Sequence, residues 1–257
     1  MISSGLTGIP LNTDPRPALV RKRLTGIGRV IVFASGKGGV GKSSCSCAAA
    51  LLLAKQGYKT GLLDMDFQGA SDHLIIGADS GFPEEDRGIL PQALQYGLRF
   101  MSISFFSGEH GVPLRGAEVT QAFLELMAVT VWDNLNYLVI DMPPGIGDEI
   151  LDVLRFIPKS EIIVVSTPSL ISGKVVQRLV EVLVKMRTNI LGVLENMNSS
   201  GSIEYFAETN QIPYLGAVPF IQNLERFIGE PEALVSSRFG NSLSHIITRI
   251  SAQTRSG

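Results

Sequence analysis

The stretch Val30-Ile31-Val32-Phe33-Ala34-Ser35-Gly36-Lys37-Gly38-Gly39-Val40-Gly41-Lys42-Ser43-Ser44 constrains the fold more than any other part of the chain. An apolar run feeds a glycine-rich turn, and the turn feeds an alanine- and leucine-rich run suited to a helix. Gly36, Gly41, Lys42 and Ser43 satisfy the P-loop pattern. Glycines let the backbone curl so that successive N–H groups, here from Gly36 through Gly38, Gly39 and Val40 to Ser44, point at phosphate oxygens. A helix N-terminus behind the turn adds partial positive charge. In such a cradle Lys42 reaches the β- and γ-phosphates and the Ser43 hydroxyl ligates Mg²⁺.

A second lysine, Lys37, follows the first glycine of the loop. Because Lys42 already fills the phosphate role, Lys37 has to satisfy its charge elsewhere. The loop Gly-Lys-Gly-Gly-Val-Gly-Lys-Ser resembles the deviant P-loop of the nitrogenase-iron-protein, MinD and ParA class. The resemblance implies a nucleotide-sandwich homodimer in which Lys37 crosses the interface and acts in trans.

Two further stretches place acids at strand ends. Lys59 to Asp64 reads as a second strand that exits into Asp64-Met65-Asp66-Phe67-Gln68-Gly69. Carboxylates at the carboxyl end of a strand, beside a phosphate cradle, are positioned to hold Mg²⁺ or orient water. By resemblance to switch I of this class, Asp66 positions the attacking water and Asp64 supports it. Asn136 to Asp141 reads as another apolar strand delivering an acid, the Walker-B arrangement that binds Mg²⁺. Pro143, Pro144 and Gly145 follow as a stiff turn whose backbone N–H groups can sense a γ-phosphate, as a switch II requires.

Strands and helices alternate along the whole chain, which predicts an α/β fold: a doubly wound, mostly parallel sheet flanked by helices, with its site at the strand carboxyl ends. Expected helices include 45–56, 117–130, 149–156 and 171–187, the last with Val175, Leu179, Val182 and Leu183 as its core face. Leu243, Ile246, Ile247 and Ile250 give a terminal helix one apolar stripe, read as core packing in preference to a membrane-binding face. Trp132, the single tryptophan, is expected to pack a helix end, and residues 77–95 form a long connection rich in glycine, proline and acids. Residues 1–28, with Pro10, Pro15 and Pro17 among several glycines, read as an extended arm ahead of one domain at 29–257.

The 257 residues suffice for one large buried core, and a net charge of −2 gives no electrostatic case for nucleic acid. No run is long enough to span a membrane and no apolar signal core opens the chain, so a cytoplasmic protein with no membrane association is expected. Cys45 and Cys47, the two cysteines, are two apart on a helix and do not converge on one metal, so they read as small core residues.

With these residues in view, the chain resembles the Mrp/ApbC family of deviant Walker A (SIMIBI-class) P-loop ATPases, which includes iron–sulfur assembly ATPases. The matching stretches are Ser35 to Ser44, Asp64-Met65-Asp66, Leu114-Arg115-Gly116, Asp141-Met-Pro-Pro-Gly-Ile-Gly-Asp-Glu149, Glu195-Asn196-Met197 and Pro213 to Pro219. The resemblance implies an Mg²⁺-dependent ATP hydrolase, weak on its own, that assists assembly or transfer of an iron–sulfur cluster or metallocofactor. It also implies that Asn196 hydrogen-bonds the adenine. The family carries Cys-x-x-Cys shortly after Glu-Asn-Met to bind a bridging cluster, whereas this chain has Asn198-Ser-Ser-Gly-Ser there. Thiolates are the usual cluster ligands. A cluster role therefore needs Cys45 and Cys47, a cysteine-bearing partner or a client apo-protein. The alternative is a MinD/ParA-like regulatory ATPase that works without a metal cluster.

Overall fold

The computed structural model describes residues 14–67, 69–79, 81–107, 117–198 and 202–253. Residues 1–13 and the stretch Leu114-Arg115-Gly116 lie outside the described residues. Strands β1 (Ile27–Ala34), β2 (Thr60–Asp64), β3 (Gln92–Ala93), β4 (Arg99–Ser102), β5 (Leu135–Asp141), β6 (Glu161–Ser166), β7 (Asn189–Asn198) and β8 (Tyr214–Pro219) form one sheet. Among the described residues the sheet has eight strands, in the order β3-β4-β2-β5-β1-β6-β7-β8. Every pairing is parallel except that of β3 with β4 at one edge.

The first crossover leaves β1 for β2 on one side, and the chain later passes from β5 to β6 on the other. A crevice opens at the carboxyl ends of strands where the winding direction reverses, and the P-loop sits there. The strands read as unbroken apolar runs because helices cover both faces. Val30 to Ala34 and Ile162 to Val165 are buried throughout.

The helices in chain order are α1 (Arg16–Leu24), α2 (Lys42–Lys55), α3 (Asp72–Ile76), α4 (Ser104–Ser107), α5 (Ala117–Val129), α6 (Asp148–Phe156), α7 (Leu170–Lys185), α8 (Ser202–Thr209), α9 (Pro231–Ser236) and α10 (Arg238–Ala252). Helix α2 is enclosed by the sheet, α3, α9 and α10. Every residue from Cys45 to Ala54 is buried, so a helix apolar all round is what the site's central element requires. Helix α10 turns Leu243, Ile246, Ile247 and Ile250 into the core, packing on β8 and α2. None of the described helices is long and apolar enough to cross a membrane.

Three expectations need correction. Residues 16–24, expected in an extended arm, form α1, and β1 already begins at Ile27. Pro15 stands at the N-cap and Pro17 in the first turn, where proline costs nothing because those N–H groups have no helical partner. Helix α1 is held by α5: Arg16 donates to Gln121 and Glu125, and Arg23 Nε donates to Ala128 O at 3.2 Å. The core face of α7 is Val176, Leu179, Val180 and Leu183, with Val175 and Val182 half-buried at its edge. Both sets fit a helical stripe, and the tilt of α7 on the sheet decides between them. The connection at 77–95 contains β3 and is tied to the end of α5, where Ile89 N donates to Val129 O at 2.9 Å.

Trp132 follows α5 and is 2% exposed. Its ring lies over Gly61 in β2, where a Cβ would sit 2.8 Å from Trp132 Cζ3, so only glycine fits beneath it.

Candidate nucleotide and metal site

The P-loop joins β1 to α2 with Gly39 and Gly41 both at φ +76°, left-handed backbone that glycine adopts without strain. Gly41 caps α2 and has no room for a side chain, because a Cβ there would run into Asn196 Nδ2. Asn196 is buried, and its Nδ2 donates to Val40 O at 2.9 Å. This side chain, expected to hydrogen-bond an adenine, braces the loop here through its amide nitrogen. The neighbouring Glu195 accepts from Tyr214 Oη at 2.7 Å through Oε2, while its buried Oε1 has no partner among the described residues.

Lys42 and Ser43, the first residues of α2, converge on Asp141 at the end of β5. Lys42 Nζ lies 2.6 Å and Ser43 Oγ 2.7 Å from Asp141 Oδ2, and Ser46 Oγ donates to Oδ1 at 2.8 Å. Ser46 was not foreseen; one helical turn after Lys42, it is a hydroxyl set between Cys45 and Cys47 at the head of the apolar run of α2. Burial works against the Lys42 ammonium, but the charge and hydrogen bond of Asp141 prevail and hold its pKa above the ordinary lysine value.

Asp64 ends β2 in register with Asp141, so the two acids expected together are neighbours on adjacent strands. Asp66 N donates to Asp64 Oδ1 at 3.0 Å, and Ser102 Oγ lies 3.3 Å from Oδ2. Burial first, and then the Asp141 charge, push the Asp64 pKa up to about 7. Asp66 is half-buried beyond the strand end and accepts from Gly69 N at 2.9 Å. Lys37 is half-buried in the loop, with its carbonyl fixed by Ser35 Oγ at 3.0 Å. It makes no ion pair with any described residue.

The Pro143-Pro144-Gly145 turn packs over the P-loop. Gly145, at φ +102°, donates its N–H to Ser35 O at 2.8 Å, so the amide expected to sense a phosphate is bonded to the loop in this arrangement. Gly38 faces the Pro144 ring at 3.9 Å from its would-be Cβ.

A third acid, Asp72, was not foreseen. It opens α3 and is 0% exposed, and one of its carboxylate oxygens lies within 4.8 Å of one each from Asp64 and Asp141. The signal available was an acid one residue ahead of the apolar run Leu74-Ile75-Ile76, with no lysine or arginine nearby in sequence to pair with it. Hard oxygen donors from Ser43, Asp141, Asp64 and Asp72 fit Mg²⁺ or a cation like it.

Cys45 and Cys47 are both 0% exposed inside α2. Burial pushes each thiol above its ordinary range, so neither is a thiolate at neutral pH and neither reaches the surface. The possible cluster role for this pair is thereby corrected: the site does not suit iron–sulfur ligation.

Comparison with known proteins agrees with this geometry. The family model described as ParA, NUBPL iron-transfer P-loop NTPase, matches residues 26–254. The iron-sulfur cluster carrier protein of Rickettsia felis is 36% identical over 200 residues, covering 76% of this chain and 63% of that protein. The carrier of Escherichia coli K12 is 32% identical over 231 residues, 84% of this chain and 63% of that protein. The chain thus spans somewhat under two thirds of the length of these two relatives. A cytosolic Fe–S cluster assembly factor of Saccharomyces cerevisiae is 32% identical over 260 residues, 90% of this chain and 89% of that protein. Among solved structures, a nucleotide-binding protein of Archaeoglobus fulgidus in complex with ADP has a TM-score of 0.75 at 28% identity, covering 88% of this chain and 95% of that one. The cell division ATPase MinD of Pyrococcus furiosus, at 18% identity and a TM-score of 0.67, covers 88% of this chain and 99% of its own and shares the fold. The resemblance to Mrp/ApbC ATPases read from the motifs is borne out, and the chain belongs to the ParA family of NUBPL-type iron-transfer P-loop NTPases.

Proposed function

We propose that this chain is an ATP-hydrolysing switch that works as a dimer enclosing two nucleotides and assists assembly or delivery of iron–sulfur clusters. The observation that carries the reading is the convergence of Lys42 and Ser43 on the strand-end acid Asp141, beneath a loop that spends its glycines on left-handed backbone. Lys42 and the loop amides bind and orient the phosphates, and Ser43 and Asp141 hold Mg²⁺ with Asp64 in support. Mg²⁺ supplies charge neutralisation on the β- and γ-phosphate oxygens. Asp66, half-buried at the mouth of the site, orients water against the terminal phosphate. Lys37, without an ion-pair partner among the described residues, donates to charge developing on the nucleotide of the second subunit. The relatives' names give the cargo, and the yeast relative's name gives the cytosol as the compartment.

Because both thiols are buried, the cluster is carried on cysteines of a partner or client and not on this chain's own. Those same buried thiols favour the second reading, a regulatory ATPase of MinD/ParA type without a cluster. Two measurements decide. Lys42→Ala should abolish binding of a fluorescent ATP analogue, and Asp66→Asn should keep binding and lose turnover; equal ATPase rates in wild type and Asp66→Asn would refute the role of Asp66. In anaerobic reconstitution the chain alone should take up no stoichiometric iron, and should accelerate cluster transfer between a loaded donor and an apo-acceptor only with ATP. Transfer rates indifferent to the protein and to ATP would overturn the cluster role in favour of the regulatory one.

A further inference from the structure

Asp72 is the one carboxylate of the site whose two oxygens have no nitrogen or oxygen donor among the described residues. Asp141 is satisfied by Lys42, Ser43 and Ser46, and Asp64 by the Asp66 amide and Ser102. The Cys47 thiol lies against Asp72, but a buried thiol is a weak donor. Buried carboxylates are ordinarily paired or bound to a cation, and an orphaned one calls for an explanation. Here three acids at 0% exposure bring one oxygen each within 4.8 Å of one another, and Lys42 is the cation that faces them. Ionised, the group carries three negative charges against one positive. Burial, followed by the charges of Asp141 and Asp64, drives Asp72 well above the carboxylate range, so this position draws either a proton or a metal ion.

We propose that Asp72 is a metal ligand, and that Asp64, Asp72 and Asp141 together bind a divalent cation directly, in the absence of nucleotide, with Mn²⁺ preferred over Mg²⁺. An all-oxygen set selects Mg²⁺, Mn²⁺ or Ca²⁺ over softer metals. Entering a fully buried site means giving up water, which Mg²⁺ does reluctantly. Ca²⁺ prefers six to eight oxygens, more than three carboxylates and a hydroxyl offer. The proposal deepens the reading above, because Asp141 serves both the nucleotide-bound metal and this site. Its test is nonetheless separate from ATP chemistry.

The full chain, stripped of metal with EDTA and freed of nucleotide, is titrated with Mn²⁺ while electron paramagnetic resonance follows the free ion. Wild type should bind a single Mn²⁺ per chain and melt at a higher temperature with it. Asp72→Asn should weaken that binding by at least about tenfold and erase the Mn²⁺-dependent rise in melting temperature. Mg²⁺ should displace Mn²⁺ only in large excess. Cooperative urea unfolding of metal-free Asp72→Asn, with the slope of wild type, verifies that the variant folds. Asp72→Leu gives a second folded variant with no ligating atom. No Mn²⁺ uptake by wild type without nucleotide, or undiminished uptake by both variants, overturns the proposal and leaves a proton as the counter-charge. Loss of ATP binding in wild type would count against the proposed function alone.

Discussion

Replacing Asp64 by asparagine should make the metal-free protein more stable above neutral pH. Asp64 is wholly buried at the end of β2, beside Asp141 in register, and its pKa stands at about 7 against an ordinary 3.8. Between those values the folded protein holds a proton that the unfolded chain has lost. Stability therefore falls as pH rises through that window, and levels off above about 7. The gap is roughly three pH units, which at about 1.36 kcal/mol each is a penalty of about 4 kcal/mol. Asparagine escapes the penalty and keeps an oxygen for the Asp66 amide, though its NH₂ must now meet Ser102, which returns about 1 kcal/mol. Urea unfolding in EDTA from about pH 5 to about pH 8 measures it. The variant's advantage should climb by about 1.4 kcal/mol per pH unit up to about pH 7 and then stay flat. An advantage that does not change with pH, or a variant less stable than wild type at about pH 8, would refute the account of Asp64 as a buried acid that resists ionising.

Lys37→Ala should slow ATP hydrolysis at saturating ATP without weakening nucleotide affinity at dilutions where the chain is monomeric; an unchanged rate removes the trans role. Gly41→Ala places a methyl group on Asn196 Nδ2 and a left-handed φ on a non-glycine residue, so it should cost about 1–3 kcal/mol and weaken ATP binding, read by thermal melting and by titration. Leu243→Ala in α10, at 0% exposure, should cost about 2–5 kcal/mol of stability with ATP affinity intact. If Leu243→Ala instead binds ATP normally and melts as wild type does, α10 is not the core helix described here.

The elements nearest the chemistry were the most legible. Strand β1, the loop and α2 announce themselves because phosphate binding fixes residue types at fixed spacing, and the acids at the ends of β2 and β5 follow from the same demand. The α10 stripe was readable since only one face of that helix is apolar. Where two readings satisfied the same local rule, tertiary packing chose. Helix α7 carries valine at 175 and 176 and again at 180 and 182, so its pattern permits two faces, and contact of Val175 with Gly36 of the P-loop helps settle which one meets the sheet. Helix α1 was hidden by prolines that mark a helix start as readily as a break. Asp72 was hidden for a different reason: seven residues separate it from Asp64, and only the packing of α3 against α2 brings the two carboxylates together.

That packing gives the site its electrostatic logic. Were they ionised, two carboxylates within 4.8 Å at an effective dielectric of about 20 would repel by about 3 kcal/mol or more, so the three acids do not all ionise unless a cation joins Lys42. Lys42 answers part of this through Asp141, yet Lys42 is also the residue that phosphate must recruit. A nucleotide that drew the ammonium away from Asp141 would leave the acids to take up a proton or a cation in its place. Nucleotide and metal are then obliged to favour each other by the same factor, whichever binds first. That exchange falls at the ends of β2 and β5, from which the loops beginning at Asp64 and Asp141 depart. Loss of either ligand therefore pushes on the two segments whose movement a switch of this fold would use, and it does so through three buried oxygens rather than through any contact with a partner.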